Sequence, residues 1–119
     1  MADGGHASGL AVVEFPDEIA YGNAGDVAAR LRAALAPGVS VVVADLTTTV
    51  FRDSSGVRVM LVARDWASAD NVQLRLAVPP GPTLVVLKLL ALDEQMPVYP
   101  TLEQALAGEP AVDADAVGG

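Results

Sequence analysis

The sequence contains no cysteine. That removes disulfides, thiolate zinc sites, iron–sulfur clusters and cysteine nucleophiles. Histidine is limited to His6, in a leader rich in glycine, alanine and serine. Histidine is the commonest general base, so the usual nucleophile–base pairs are missing and conventional hydrolase chemistry is not expected. Basic residues are scarce, 7 against 15 acidic ones, for a net charge of −8. A chain this acidic, with no basic cluster, repels nucleic acid and anionic lipid. Long hydrophobic runs are also missing. The longest runs from Leu84 to Leu92 and is broken by Lys88, where a membrane span needs about 20 apolar residues. The leader MADGGHASG has neither a basic start nor an apolar stretch, so no signal peptide is read and a cytoplasmic location is expected. No GxGxxG or GxxxxGKS/T motif occurs, which excludes the common nucleotide-binding loops. No cofactor and no metal are expected.

What is present is a core-forming chain of 119 residues, 52% of them hydrophobic. That is the size of one domain. Residues 1–9 read as a flexible leader, 10–107 as a single domain, and 108–119 as a disordered acidic tail. Leu10 to Phe15 reads as a strand stopped by Pro16, with Asp17 to Tyr21 a second extended piece paired to it. Asn23 is a good helix N-cap, with Asp26 three residues on. Val27, Leu31 and Leu35 then form one apolar helical face, and Pro37-Gly38 ends the helix. Val39 to Leu46 is valine-rich and apolar on both sides, which suits a central strand covered on both faces. Thr47 to Arg52 leads away from it. Asp53-Ser54-Ser55-Gly56 opens a second helix running to about Ala69. Val72 to Val78 alternates and reads as a strand with one polar face. Pro82 suits the first turn of a third helix, Thr83 to Leu92. Val98-Tyr99 is a last short strand. Thr101 and Gln104 make the capping box of a last helix ending at Ala107. Strands alternating with helices indicate an α/β fold. The expected architecture is a small mixed sheet of four to five strands, with about four helices packed mainly on one face.

The most informative stretch is residues 45 to 64, DLTTTVFRDSSGVRVMLVAR. It combines an acid-ended strand, a polar loop, a DSSG turn and an apolar helix. This segment resembles the STAS domain of bacterial anti-sigma factor antagonists. In that family a strand ends in Asp-Leu, and an apolar residue precedes Asp-Ser-x-Gly at a helix start. Asp45-Leu46, Phe51 and Asp53-Ser54-Ser55-Gly56 stand in that order. The similarity extends to the helix after Asn23-Ala24, to Pro80 to Leu92, and to the ending Val98 to Leu106. Ala20 stands where the family often carries an aspartate before its first helix. The resemblance implies a STAS-type fold and a phosphoacceptor at the first serine of the turn, Ser54. It implies a partner that is both a histidine-kinase-like kinase and an anti-sigma factor, with a phosphatase to reset the switch. The partner-binding residues expected at and around this turn are Asp53, Ser54, Ser55, Gly56, Arg58 and Asn23.

The physics of the turn supports a switch independently. A serine at a helix N-terminus is accessible, and its phosphate lies in favourable dipole potential. Phosphorylation adds about −1.5 to −2 charge beside Asp53. Gly56, with no side chain, would let a partner's backbone come close. The competing reading is that Asp53 or Ser54 simply caps a helix. Asp45 is expected to bond loop amides. Thr47, Thr48 and Thr49 are expected to hold their hydroxyls in local bonds. Met60 and Trp66 read as core, Arg64 as a solvated face, and Arg58 as the better interface candidate.

Three functions are weighed. The first is a regulatory antagonist that binds an anti-sigma factor until Ser54 is phosphorylated. The second is a STAS subunit of a lipid-transport ATPase complex. The third, an enzyme with Ser54 as nucleophile, has no base at hand. The third helix is apolar on more than one face, which predicts a second interface through Thr83–Leu92, either a homodimer or a separate partner site.

Overall fold

The computed structural model describes residues 9–108. The readings made for residues 1–8, His6 included, and for 109–119 lie outside the described residues. The elements in chain order are β1 (Leu10–Glu14), β2 (Glu18–Ile19), α1 (Tyr21–Ala34), β3 (Val41–Asp45), β4 (Val50–Phe51) and α2 (Ser55–Ala69). They continue with β5 (Gln73–Ala77), α3 (Pro82–Leu89), a short 3-10 turn (Leu92–Glu94), β6 (Val98–Tyr99) and α4 (Leu102–Ala107).

Four strands form one sheet in the order β1-β3-β5-β6. Its pairings are all parallel, as is the separate pair of β2 with β4. The α/β class and the four helices are as expected, but the sheet is parallel where a mixed one was anticipated. Parallel neighbours need a crossover, and each crossover here carries a helix. β3 lies inside the sheet because Val42, Val43 and Ala44 are apolar on both faces and fully buried. Side chains alternate along a strand, so Val42 and Ala44 face one way with Val27, Leu31, Met60 and Leu87 of α1, α2 and α3. Val43 and Ala77 face the other way, against Ala105 of α4. Arg75, on the polar side of β5, reaches the end of α4 and donates to the carbonyl of Ala105 at 3.0 Å.

Three boundaries differ from the sequence reading. First, α1 starts at Tyr21, with Ala20 as N-cap. Asn23 sits inside the first turn, where its side-chain oxygen accepts from the Ala20 N–H at 2.9 Å. Its amide donates to the Glu18 carbonyl at 2.8 Å. Asparagine does cap this helix, but from inside it, as the reciprocal half of a capping box. Second, Asp17 to Tyr21 does not pair with β1. Pro16 turns the chain away, and Glu18 and Ile19 pair with Val50 and Phe51 of β4. The Thr47–Arg52 link therefore contains a strand of its own. Third, α3 ends at Leu89. Ala91 adopts a left-handed conformation at φ 58°, which lets Leu92 turn into the core in the following 3-10 turn. No glycine or proline marks that stop.

The third helix does keep apolar surface outside the core. Leu87 is 0% exposed, whereas Leu89 is 79% exposed, with Val85 and Leu90 also open. At concentrations where the chain is monomeric, Leu89→Lys is therefore expected to change stability by no more than about 0.5 kcal/mol. Leu87→Lys buries an unpaired charge and should cost about 3 kcal/mol or more. Urea titration of both variants checks this. Equal losses would mean that α3 is enclosed on every side.

Candidate functional site

The DSSG turn joins β4 to α2, and Ser54 is the N-cap of that helix. Its backbone is already helical, at φ −68° and ψ −7°, and its hydroxyl makes no capping bond. The side chain is exposed. Capping falls to Asp53 instead. One carboxylate oxygen accepts from the Ser55 N–H at 2.8 Å, and the other accepts from the Tyr21 N–H at 3.1 Å. One carboxylate thus satisfies orphan donors at the start of two helices. It fixes the first turn of α1 against the first turn of α2.

These bonds hold the Asp53 carboxyl below its usual range, the Ser55 N–H contributing most. A folded-state pKa lowered in this way stabilises the fold above the unfolded value. The contribution is lost as pH falls through 3.8 towards the folded value. Wild type is therefore expected to be more stable than Asp53→Asn at pH 7, with the gap closing below about pH 4. Urea midpoints from pH 7 to pH 2.5 test this. The Glu18 carboxyl, lowered by its bond to Arg52, is common to both proteins and cancels. A gap independent of pH would show that the charge of Asp53 does not act.

Between α1 and α2 runs a groove of about 800 Å³. Gly22, Gly25 and Ala28 line its α1 side, and Ser54, Arg58 and Val62 its α2 side. Tyr21 stands at its lip, 87% exposed. Sequence reading placed Tyr21 in a strand and missed it, because nothing local signals that an aromatic faces outward. Arg58 is exposed and lies one helical turn beyond Ser54, its N–H donating to the Ser54 carbonyl at 3.0 Å. Asp53, Ser54, Ser55 and Arg58 are thus brought together in the groove. Asn23 is not among its lining residues, and its side-chain bonds go to Ala20 and Glu18.

Gly56 has a role other than the one expected. It is buried. A Cβ there would lie 2.4 Å from the Phe51 ring. The space left by the missing side chain is filled by the chain's own aromatic and is not open to a partner's backbone.

Asp45 bonds its loop as expected, accepting from the Thr47 N–H at 3.0 Å and the Thr47 hydroxyl at 2.7 Å. The Thr48 hydroxyl donates to Asp17 at 2.8 Å and that of Thr49 to the Pro16 carbonyl at 2.7 Å. These three hydroxyls are engaged, while that of Ser54 is not. Met60 is core. Trp66 is half-buried, with the Arg32 guanidinium 5.3 Å from its ring centroid. Neither histidine nor lysine lines the groove. Among the described residues no group of three or more acidic or histidine side chains is placed to hold a metal ion. No helix among them is long and apolar enough to cross a membrane.

Residues 5–105 match the family model of the STAS domain. The chain belongs to the STAS domain family. Comparison with curated proteins finds no match. Among solved structures it is similar to an anti-sigma factor antagonist from Mycobacterium paratuberculosis, with a TM-score of 0.74 and 25% identity over 84% of this chain and 85% of that one. It is also similar to a STAS-domain anti-sigma-factor antagonist protein from Planctomyces limnophilus, with a TM-score of 0.73 and 22% identity over 87% and 92% of the two chains. A third likeness is to the phosphorylated form of the Bacillus cell fate determinant SpoIIAA, with a TM-score of 0.65 and 23% identity over 85% and 91%. The STAS match covers every strand and reaches into α4, so the DSSG turn lies well inside the shared domain.

Proposed function

We propose that this STAS domain is an anti-sigma factor antagonist that works as a phosphorylation-controlled partner switch. The observation that carries the reading is the unengaged, exposed hydroxyl of Ser54, held by the Asp53 clamp at the mouth of the α1–α2 groove. The antagonists of the same fold support it. In the unmodified state the groove receives a histidine-kinase-like anti-sigma factor, and the sigma factor is released to direct transcription. That partner holds ATP. The Ser54 oxygen forms a bond to the γ-phosphorus, the bond from that phosphorus to the β–γ bridging oxygen breaks, and ADP leaves. The hydroxyl proton passes to a base of the partner. The product carries about −1.5 to −2 charge beside Asp53, in a chain of net charge −8, and the partner lets go. A phosphatase resets the switch. The domain itself hydrolyses nothing and acts in the cytoplasm. The lipid-transport reading has no observation of its own to carry it.

The deciding experiment incubates the purified chain with the histidine-kinase-like ATPases of its source organism and ATP, then maps the phosphate by mass spectrometry. Modification at Ser54 is expected. Modification at Ser55 would keep the switch and refute the site, and no modification by any of them would refute the reading. For the exposed ridge of α3 (Val85, Leu89 and Leu90), read from the sequence as either a homodimer contact or a separate partner site, we propose contact between two copies of the chain. Sedimentation velocity should show a dimer for wild type that is lost in Leu89→Lys, and a monomeric wild type would remove that assignment.

A further inference from the structure

The chain has seven Lys and Arg side chains, and contacts among the described residues engage all of them except Arg58. Arg30 donates to the Glu14 carbonyl. Arg32 pairs with Asp70, Arg52 with Glu18, Arg64 with Asp65, and Lys88 with Asp93. Arg75 binds the carbonyls at the end of α4. Among the described residues, Arg58 alone makes no ion pair and no side-chain hydrogen bond. Among the described residues of this acidic chain it is the one cation left available, and it lines the same groove as Ser54.

Its position relative to Ser54 is set by the helix. The Ser54 backbone is helical, so Ser54 and Arg58 are related as i and i+4 on one face. Side chains so related have Cβ atoms about 5–6 Å apart, and long side chains on a helix lean towards its N-terminus. The spacing therefore puts a group on Ser54 within reach of the Arg58 guanidinium. The other charged and titratable groups lining the groove are Asp26 and Tyr21 of α1 and Asp53 of the turn, and none of them pairs with Arg58. The acids would repel a phosphate on Ser54, which leaves Arg58 as the one lining side chain of opposite charge, beside the backbone N–H groups of the first turn of α2. Guanidinium offers a planar fork matched to phosphate oxygens.

We propose that Arg58 is the internal acceptor of a phosphate on Ser54, so that modification both adds an anion to the groove and withdraws its only unpaired cation. A partner group that met Arg58 before modification then loses its counter-charge and meets the phosphate instead. The proposal rests on Ser54 being the modified residue, and it adds to that reading how the groove registers the change.

The test places phosphoserine at position 54 during translation, so it needs neither kinase nor partner. The phosphorus resonance is titrated by NMR at low salt in wild type, Arg58→Gln and Arg58→Lys. The second ionisation of a phosphoserine lies near pH 6. Pairing with Arg58 should place the wild-type midpoint about half a pH unit below that of Arg58→Gln, the size expected for an exposed ion pair. Arg58→Lys should fall between them. Salt at about 0.5 M should close the gap. Circular dichroism should be unchanged in all three, since Arg58 holds nothing in the unmodified fold. Coincident midpoints for wild type and Arg58→Gln at low salt would overturn the proposal, as would a gap indifferent to salt. A shifted midpoint combined with no kinase acting on Ser54 would uphold the pair and refute its regulatory setting, so the two failures are distinguishable.

Discussion

Ser54→Asp is expected to weaken binding to the proposed anti-sigma factor partner by about a hundredfold, while Ser54→Ala should bind like wild type and not be released by ATP. The asymmetry follows from the site. The Ser54 hydroxyl makes no capping bond, so removing it breaks nothing within the chain. A carboxylate there adds charge beside Asp53, whose two oxygens already face the N–H groups of Ser55 and Tyr21. Any partner group docked over the turn then meets a local negative field. The loss should not come from unfolding, because acidic residues are tolerated, and often preferred, at a helix N-terminus. The Ser54→Asp protein should keep its circular dichroism and melt within a few degrees of wild type. Isothermal titration against the kinase that labels Ser54 measures the first effect, and thermal melting the second. An affinity indifferent to both substitutions would sink the switch. A collapse in Tm for Ser54→Asp would instead place the control in local unfolding of the turn.

The second large effect concerns Gly56. Gly56→Val should destabilise the domain by about 2–3 kcal/mol, at the upper end of what overpacking costs. The Phe51 ring lies 2.4 Å from where a Cβ would stand, and the Cβ of Phe51 lies at 3.0 Å. The near atoms belong to the base of the ring, not to the tip of a flexible side chain, so they yield only if β4 moves. Gly56→Ala should cost less, because alanine regains about 1 kcal/mol of helix propensity over glycine. The cause can be isolated. In a Phe51→Ala background the cost of Gly56→Val should fall to a fraction of its value, a coupling expected only between residues in contact. Urea denaturation of the four proteins in this cycle provides the numbers. If Gly56→Val left stability intact and impaired only partner binding, the glycine would serve the partner and not the packing of Phe51.

Much of this domain is governed by local rules, and those parts were legible in the sequence. The valine run around Val42 and Val43 demanded cover on both faces, and β3 is the strand that receives it. The DSSG turn announced the start of α2, which runs to Ala69 as read. The Thr101–Gln104 cap stands, with the Gln104 N–H donating to the threonine hydroxyl at 3.1 Å. Ser54 was singled out by the resemblance of its Asp-Ser-x-Gly turn and the strand before it to the STAS family, and the structure adds that its hydroxyl makes no capping bond.

What the sequence alone could not determine depends on groups distant along the chain. Whether Glu18 and Ile19 pair with β1 or with β4 is decided by where Pro16 sends the chain, and either edge would satisfy the same backbone groups. The end of α3 is set by the buried site that Leu92 fills, not by any breaking residue. Periodicity and capping describe a residue's own turn of helix or strand. The identity of what faces it across a groove is a property of packing. The second helix N-terminus under Asp53, the aromatic beneath Gly56 and the unpaired state of Arg58 therefore became visible only once the elements were assembled. Each involves two segments whose meeting is fixed by the burial of the whole core.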